Sequence, residues 1–456
     1  MGSGHGHSSA LRVPKTTSRR LAIVSAVFGF LTVVGLVALW PSGDVASSLD
    51  NFTTTFYDAE VVRVEVVPCP GLPAGDDTTL RCAELDVKLL DGPDEGSVIP
   101  LDVFDAASAD FSVGETVVVE FDERAPREFQ YRFSDRQRSS VLVWLAVLFG
   151  ASVVVLGRWR GLAALVGLGM SLAVLLVFTV PALVEGSDPL AVAVVSAAAI
   201  SYAAIYLSHG FNSMSTVALL GTLGSLALTA VLATVFVQLA GITGLASEQA
   251  SFLQLGSVEV GLQGLVLAGI VIGALGALDD MTVTQASAVW EVRAAAGPRS
   301  VAELYRSGIR IGRDHVASTV NTLVLAYAGA SMPLLLFFSL TSQSLGVVAN
   351  GELVATEIVR TLVGSIGLVA SVPLTTALAA WTASQATSPA IAGLLHDPTD
   401  MHAEGHGQGP AGGAAGGVAG GPDGGPDDGP NGSSHRGPSD DPGGADDRGR
   451  HDPEGT

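Results

Sequence analysis

The sequence predicts an α-helical polytopic membrane protein with about eight transmembrane helices. A small all-β domain of OB-like shape follows the first helix, and a disordered tail closes the chain. Three observations predict this. Hydrophobic residues make up 48% of the 456 residues and charged ones only 15%, with a mean hydropathy of +0.46. Uncharged apolar runs recur at about 20 residues, the length a helix needs to cross a hydrocarbon core of about 30 Å. Two stretches, residues 41–138 and 385–456, break that pattern in different ways. Charge is scarce elsewhere because each Asp, Lys or Arg at the bilayer centre costs roughly 2.5–3.5 kcal/mol on insertion scales. The net charge of −21 therefore describes the water-exposed parts. It offers no basic patch for phosphate, so no nucleic-acid partner is expected.

In chain order, the apolar runs place spans at 21–40, 139–157, 162–184, 189–207, 213–239, 261–278, 316–340 and 359–381. The first follows Arg19 and Arg20, as a signal peptide would, but no small-residue cleavage site precedes Trp40 and Pro41. It reads as an uncleaved anchor. Lys and Arg in the short loops set the orientation. Arg12, Lys15, Arg19 and Arg20 make residues 1–20 cytoplasmic. Alternation then brings Arg158 and Arg160 inside, with the loop that carries Arg293, Arg299 and Arg306. The loops at 185–188, 241–260 and 341–358, assigned outside, contain no Lys or Arg. An even number of spans returns the C-terminus to the cytoplasm, and the destination is the inner or plasma membrane of the cell.

Residues 41–138, outside the membrane in this scheme, alternate like half-buried strands. Val62, Val64 and Val66 alternate with Arg63 and Glu65; Ala83, Leu85, Val87 and Leu89 with Glu84, Asp86 and Lys88; Val117, Val119 and Phe121 with Glu120 and Asp122. Turn residues separate them at Pro70-Gly71, Asp91-Gly92-Pro93 and Gly114. Five such strands suit a small closed barrel. Cys69 and Cys82 are the only cysteines of the chain and both fall here, which predicts a disulfide in an oxidising compartment. Closing so short a loop contributes about 3 kcal/mol by the chain-entropy estimate.

Residues 139–384 hold the other seven spans. Beyond them, residues 385–456 are rich in Gly, Pro, Asp and His, and nothing there offsets the entropy of ordering. His396, His402, His406, His435 and His451 have no metal-ligand spacing. They read as a solvated tail, and no metal or cofactor is expected.

Polar residues gather at three helix ends that this topology puts on the cytoplasmic side. On the sixth span Gly269, Gly273, Gly276, Asp280, Thr284, Ser287 and Glu291 follow at steps of three or four, within about 80° of one another on a helix. The three glycines would let a neighbouring backbone approach closely. Asp280 continues their face and Asp279 does not, so Asp280 is the carboxylate expected to be buried. Asp314, Ser318 and Asn321 share a face of the seventh span, as Tyr202, Tyr206 and His209 do on the fourth. A bundle apposing these faces gathers Asp280, Asp314, Asn321, His209, Thr284 and Ser318 into one ion- or substrate-binding cavity. Polar residues also simply mark where helices leave the membrane, which accounts for Asp279, Arg313 and His315. Between the spans, Gly297-Pro298 breaks the helix, and Ser300 with Glu303 has capping-box spacing. A short interfacial helix is expected there, its arginines toward anionic headgroups.

The stretches GALGALDDMTVTQASAVWE (273–291) and RSGIRIGRDHVASTVNTLVLAY (306–327), with His209-Gly210-Phe211-Asn212, resemble the YibE/F-like membrane proteins over residues 140–385. The resemblance implies a multi-pass membrane protein and carries over no catalytic or ligand residues. No nucleophile elbow, HExxH or phosphate loop is present, so no enzyme activity is expected. The residues favour a permease with its polar site toward the cytoplasm. The alternative is a non-transporting scaffold or sensor whose exterior domain binds an envelope protein. A second copy of the chain is the other partner considered.

Overall fold

The computed structural model describes residues 11–42, 55–67, 82–103, 111–246, 261–340 and 344–387, all within one compact unit, Met1–Asp397. The tail histidines and Cys69 lie outside the described residues.

The membrane part comprises α1 (Lys15–Ala38), α2 (Ser139–Ala173) running through a π-helical segment (Val174–Thr179) into α3 (Val180–Val184), α4 (Pro189–His209) and α5 (Ser213–Leu239). It continues through α6 (Leu262–Ala296), α7 (Val301–Ala330), α8 (Met332–Leu340), α9 (Leu345–Asn350) and α10 (Glu352–Ser384). By length and composition six helices are able to cross a membrane, or seven if α7 and α8, bent by 60°, form one span. The difference from the eight expected lies in residues 139–184. A Cβ at Gly161 would meet the Val153 carbonyl oxygen at 2.2 Å, and one at Gly150 would meet Leu165 at 3.8 Å. Residues eight apart in a continuous helix are separated by about 12 Å, so the chain folds back between them. The reversal is at Arg158, whose φ of 52° and ψ of −129° cost a non-glycine residue roughly 1–3 kcal/mol.

Capping residues set several ends. Asp188 accepts from the Ala191 N–H at 2.8 Å and Asn212 from that of Ser215 at 2.9 Å. Ser300 and Glu303 form the expected capping box. The helix it starts is not a short interfacial one, however: α7 runs unbroken from Val301 to Ala330, because nothing between residues 301 and 330 interrupts it.

At the centre, α6 packs against α4, α5, α7 and α10. Leu275 and Leu278 meet Leu226 of α5 and Leu368 and Val372 of α10 in one core cluster. Glycines set how closely α5 and α10 approach. A Cβ on Gly221 would lie 2.2 Å from the Thr375 hydroxyl, and one on Gly367 would lie 2.1 Å from that of Thr229. Each helix thus places a threonine over the other's glycine. The ends of the described chain meet too: Arg12 and Thr387 exchange backbone hydrogen bonds of 3.0 and 2.9 Å.

The β domain is one antiparallel sheet of β1 (Thr55–Val67), β2 (Cys82–Leu89), β3 (Val98–Val103), β4 (Thr116–Phe121) and β5 (Tyr131–Arg136), in the order β3-β2-β1-β4-β5. The edges β3 and β5 touch without pairing, so the sheet is a half-barrel around Ala59, Leu85, Val87, Leu101 and Val119. β2 buries its alternate residues as expected. In β1 the register slips between Val61 and Arg63: Ala59 and Val61 point in before that bulge, Val62 is exposed at it, and beyond it Val64 lies opposite Leu85 and packs against the core. Gly92 turns the chain at φ +96°, and a Cβ there would lie 2.8 Å from the Tyr57 ring. The Tyr131 hydroxyl donates to Asp94 at 2.9 Å; partial burial and that carboxylate push its pKa up to about 12. Cys82 is buried at the head of β2 and carries no free thiol. Its expected partner is Cys69. Peptide mapping of unreduced protein should recover that bridge, and two alkylatable thiols would reject it.

Candidate functional site

The residues expected to line one cavity are mostly exposed. Asp280, Asp314, Ser318 and Asn321 are all exposed on the outside of the bundle, and Thr284 is half-buried. His209 is exposed at the end of α4, and its carbonyl, not its ring, is bonded, to Asn212 at 2.9 Å. Among the described residues no hydrogen bond or ion pair joins any two of the six. The glycine stripe is not a backbone contact either. Gly269 faces the Arg360 guanidinium, Gly273 the Tyr327 hydroxyl, and a Cβ on Gly276 would meet nothing within 4 Å. Side chains of α7 and α10 cover part of the stripe, and Asp280 falls on the part left open.

The other carboxylate is half-buried. Asp279 points into the bundle, where Ser201 of α4 donates to its Oδ1 at 3.1 Å and the Thr222 hydroxyl of α5 lies beside it. Thr222 pairs with Thr282 at 2.6 Å, and Thr282 donates to the Asp279 carbonyl at 3.1 Å. Ser201, Thr222 and Thr282 are fully buried. The two carboxylates are neighbours in sequence, but a helix turns about 100° per residue. That rotation carries Asp279 toward α4 and α5 and leaves Asp280 outside.

One turn further along α6, Gln285 is almost fully buried. Its amide donates to the Gly308 carbonyl of α7 at 2.8 Å and to the Thr376 hydroxyl of α10 at 2.7 Å. Gly308 and Gly312 open the space for it. A Cβ on Gly308 would lie 2.6 Å from Thr376, and one on Gly312 would lie 2.8 Å from Gln285 Oε1.

A separate open cleft of about 1870 Å³ lies among α1, α2, α4 and the end of α6. Tyr202, Tyr206 and His209 line it, the α4 face that the sequence pattern groups, together with Ser287 and Glu291 from the end of the α6 stripe. The tyrosines hold α1 in place. The Tyr202 hydroxyl donates to the Ser25 carbonyl at 2.5 Å. That of Tyr206 pairs with the Ser25 and Thr216 hydroxyls, each at 3.1 Å, and its ring stacks on Phe211 at 4.4 Å.

The sequence profile of YibE/F-like proteins matches residues 145–385. The chain belongs to that family. The YibE/F-like region begins inside α2 and ends at the last residues of α10, so it takes in Asp279, Gln285 and the α4 side of the cleft. No curated protein and no solved structure matches. Within this region the motif His209-Gly210-Phe211-Asn212 has a structural reason: Gly210, at φ 75°, ends α4, and Asn212 caps α5. The stretch 306–327 carries the two glycines that seat α7 on Gln285.

Proposed function

We propose that this YibE/F-like membrane protein is a permease whose solute enters the cleft between α1, α2 and α4. The observation that carries the reading is the cleft itself, large enough for a small solute and furnished with Tyr206, His209, Ser287 and Glu291. Polar and ionisable groups within transmembrane segments are costly, and their usual use is binding or passage. The full reading has eight spans in the cell membrane, both termini cytoplasmic and the β domain on the outer side. The fold-back at Arg158 supports counting two spans within residues 139–184. The Arg12–Thr387 pairing supports an even number, since it holds the first and last helices at one end.

Filling the cleft tests this. In a strain lacking the gene, solute and ion contents are compared with and without the full chain, and with Ser287→Trp. A permease predicts a solute whose content follows the wild-type chain and reverts by more than tenfold in transport rate with Ser287→Trp at equal membrane abundance. Contents indifferent to the chain would instead favour the scaffold reading.

A further inference from the structure

Asp279 is the one carboxylate that the described part of the bundle turns inward and surrounds with hydroxyls, and the cleft does not use it. The hydroxyls around it come from three helices: Ser201 on α4 bonds the carboxylate, Thr282 one turn along α6 bonds the Asp279 backbone carbonyl, and Thr222 on α5 bonds Thr282. None of them carries charge. Of the helices that touch it, α5 has no titratable side chain at all, and α4 has only Tyr202, Tyr206 and His209. On α10 the charged groups are Glu352, Glu357 and Arg360, near its start, and Arg360 is paired with Glu357 at 2.7 Å. The arginines of α7 and Arg293 of α6 are not bonded to it, and Asp280 faces away.

An ionised carboxylate in that setting would hold a full charge, half-withdrawn from solvent among apolar helices, against one hydroxyl hydrogen bond. That is an expensive arrangement without a cation. Counting donors points to what supplies the missing positive charge. Thr222 has one hydroxyl proton and three acceptors within reach: the Asp279 carboxylate, the Thr282 oxygen at 2.6 Å and the Ala218 carbonyl at 3.2 Å. If Asp279 carries a proton, its O–H donates to the Thr222 oxygen. The Thr222 proton then goes to the Thr282 oxygen, the Thr282 proton to the Asp279 carbonyl, and the Ser201 proton to Oδ1. Every donor has an acceptor and no net charge is buried. A hard metal cation fits less well, because it asks for about six oxygens, whereas Thr222 and Thr282 are turned toward each other.

We propose that Asp279, bonded by Ser201 beside the Thr222–Thr282 pair, is a proton-binding site inside the bundle, and that the proton it holds is the coupling ion of the permease. The binding step is a simple transfer: the Asp279 O–H bond breaks, the proton passes to water, and the carboxylate left behind is unstable until it is reprotonated. The coupling role rests on the permease reading; the proton site does not.

Infrared spectroscopy of the purified full-length protein in lipid nanodiscs reads the site directly. Wild type should show the carbonyl stretch of a protonated carboxylic acid at neutral pH, shifted in heavy water and lost on alkalisation. Asp279→Asn, which keeps the shape and the hydrogen-bonding capacity, should lose it. Asp280→Asn should keep it, and Ser201→Ala should keep it at a moved frequency. The proposal falls if no band depends on Asp279 at neutral pH. It falls equally if added sodium removes the band at constant pH, which would make the group an alkali-cation site. A band that obeys these rules beside solute contents indifferent to the chain would leave the proton site standing and remove the permease.

Discussion

Gly221→Val is expected to prevent α5 and α10 from packing, and with it stable accumulation of the protein in the membrane. The contact has no slack. Even the first carbon of a side chain at Gly221 would sit 2.2 Å from the Thr375 hydroxyl, and Thr375 is β-branched, fully buried and stiff. Transmembrane helices gain association energy from close packing rather than from the hydrophobic effect, so separating this pair removes the contact that holds them. Gly221→Ala should cost about 1–3 kcal/mol as an overpacked core site, and valine more. Two controls make the result specific. Gly224→Ala lies one turn along on the same helix, where a Cβ meets nothing within 4 Å, and should be neutral or slightly stabilising. Thr375→Ala should partly rescue Gly221→Ala. It removes the clashing oxygen, which has no hydrogen-bond partner among the described residues, so its loss costs little. The measurements are membrane abundance and thermal midpoint in detergent. Equal behaviour of Gly221→Ala and Gly224→Ala would overturn the argument.

Helices were legible in the sequence because bilayer physics writes them plainly: long apolar runs, with the breaks marked by Gly157, Arg158 and Arg160, by Gly210 and by Gly297-Pro298. The β2 strand was legible for the same reason, since its period of two survives intact in the structure. The β1 face was not. A one-residue bulge inverts every side chain beyond it, and composition carries no sign of which residue bulges. The continuity of the expected interfacial helix with the seventh span was invisible as well, because both use the same helical period.

The candidate site shows a sharper limit. Helical periodicity correctly separates Asp279 from Asp280, since the two lie about 100° apart. It does not say which face meets a neighbour. A stripe of glycines argued for the Asp280 side, yet the close glycine contacts of the bundle are at Gly221, Gly367, Gly308 and Gly312. A signal for the other face was present. Ser201, Thr222 and Thr282 are hydroxyls in otherwise apolar stretches, and Thr282 is three residues from Asp279, one turn away. Only the packing of α4 and α5 on α6 joins them. Exposure of Asp280, Asp314, Ser318 and Asn321 is a property of the chain by itself, and the sequence had no means of distinguishing an inward face from an outward one on α7.

Gln285 should govern whether α7 stays docked. Of the thirty residues of α7 only Leu304, Gly308 and Gly312 are buried, all in its first half. The helix is buried most deeply there, and further along Val316 and Val320 pack against the central core. In that first half Gln285 bonds the Gly308 carbonyl and the Thr376 hydroxyl and so ties α6, α7 and α10 together. Gln285→Ala removes both bonds and leaves a cavity against two glycines that have no side chains to fill it, which should cost about 2–4 kcal/mol. Gln285→Leu keeps the volume. It forfeits only the hydrogen bonds, worth about 0.6–1.7 kcal/mol each within a bilayer, and Thr376 keeps its bond to the Val372 carbonyl at 2.6 Å. The order expected is therefore wild type, then leucine, then alanine. Hydrogen exchange in nanodiscs reads it locally: amides of α7 should exchange faster in that order, while those of the β domain and α5 keep their wild-type rates. A uniform rise across the protein would mean that Gln285 supports the whole bundle rather than one helix, and unchanged exchange in α7 would mean that the glycines seat it without the glutamine.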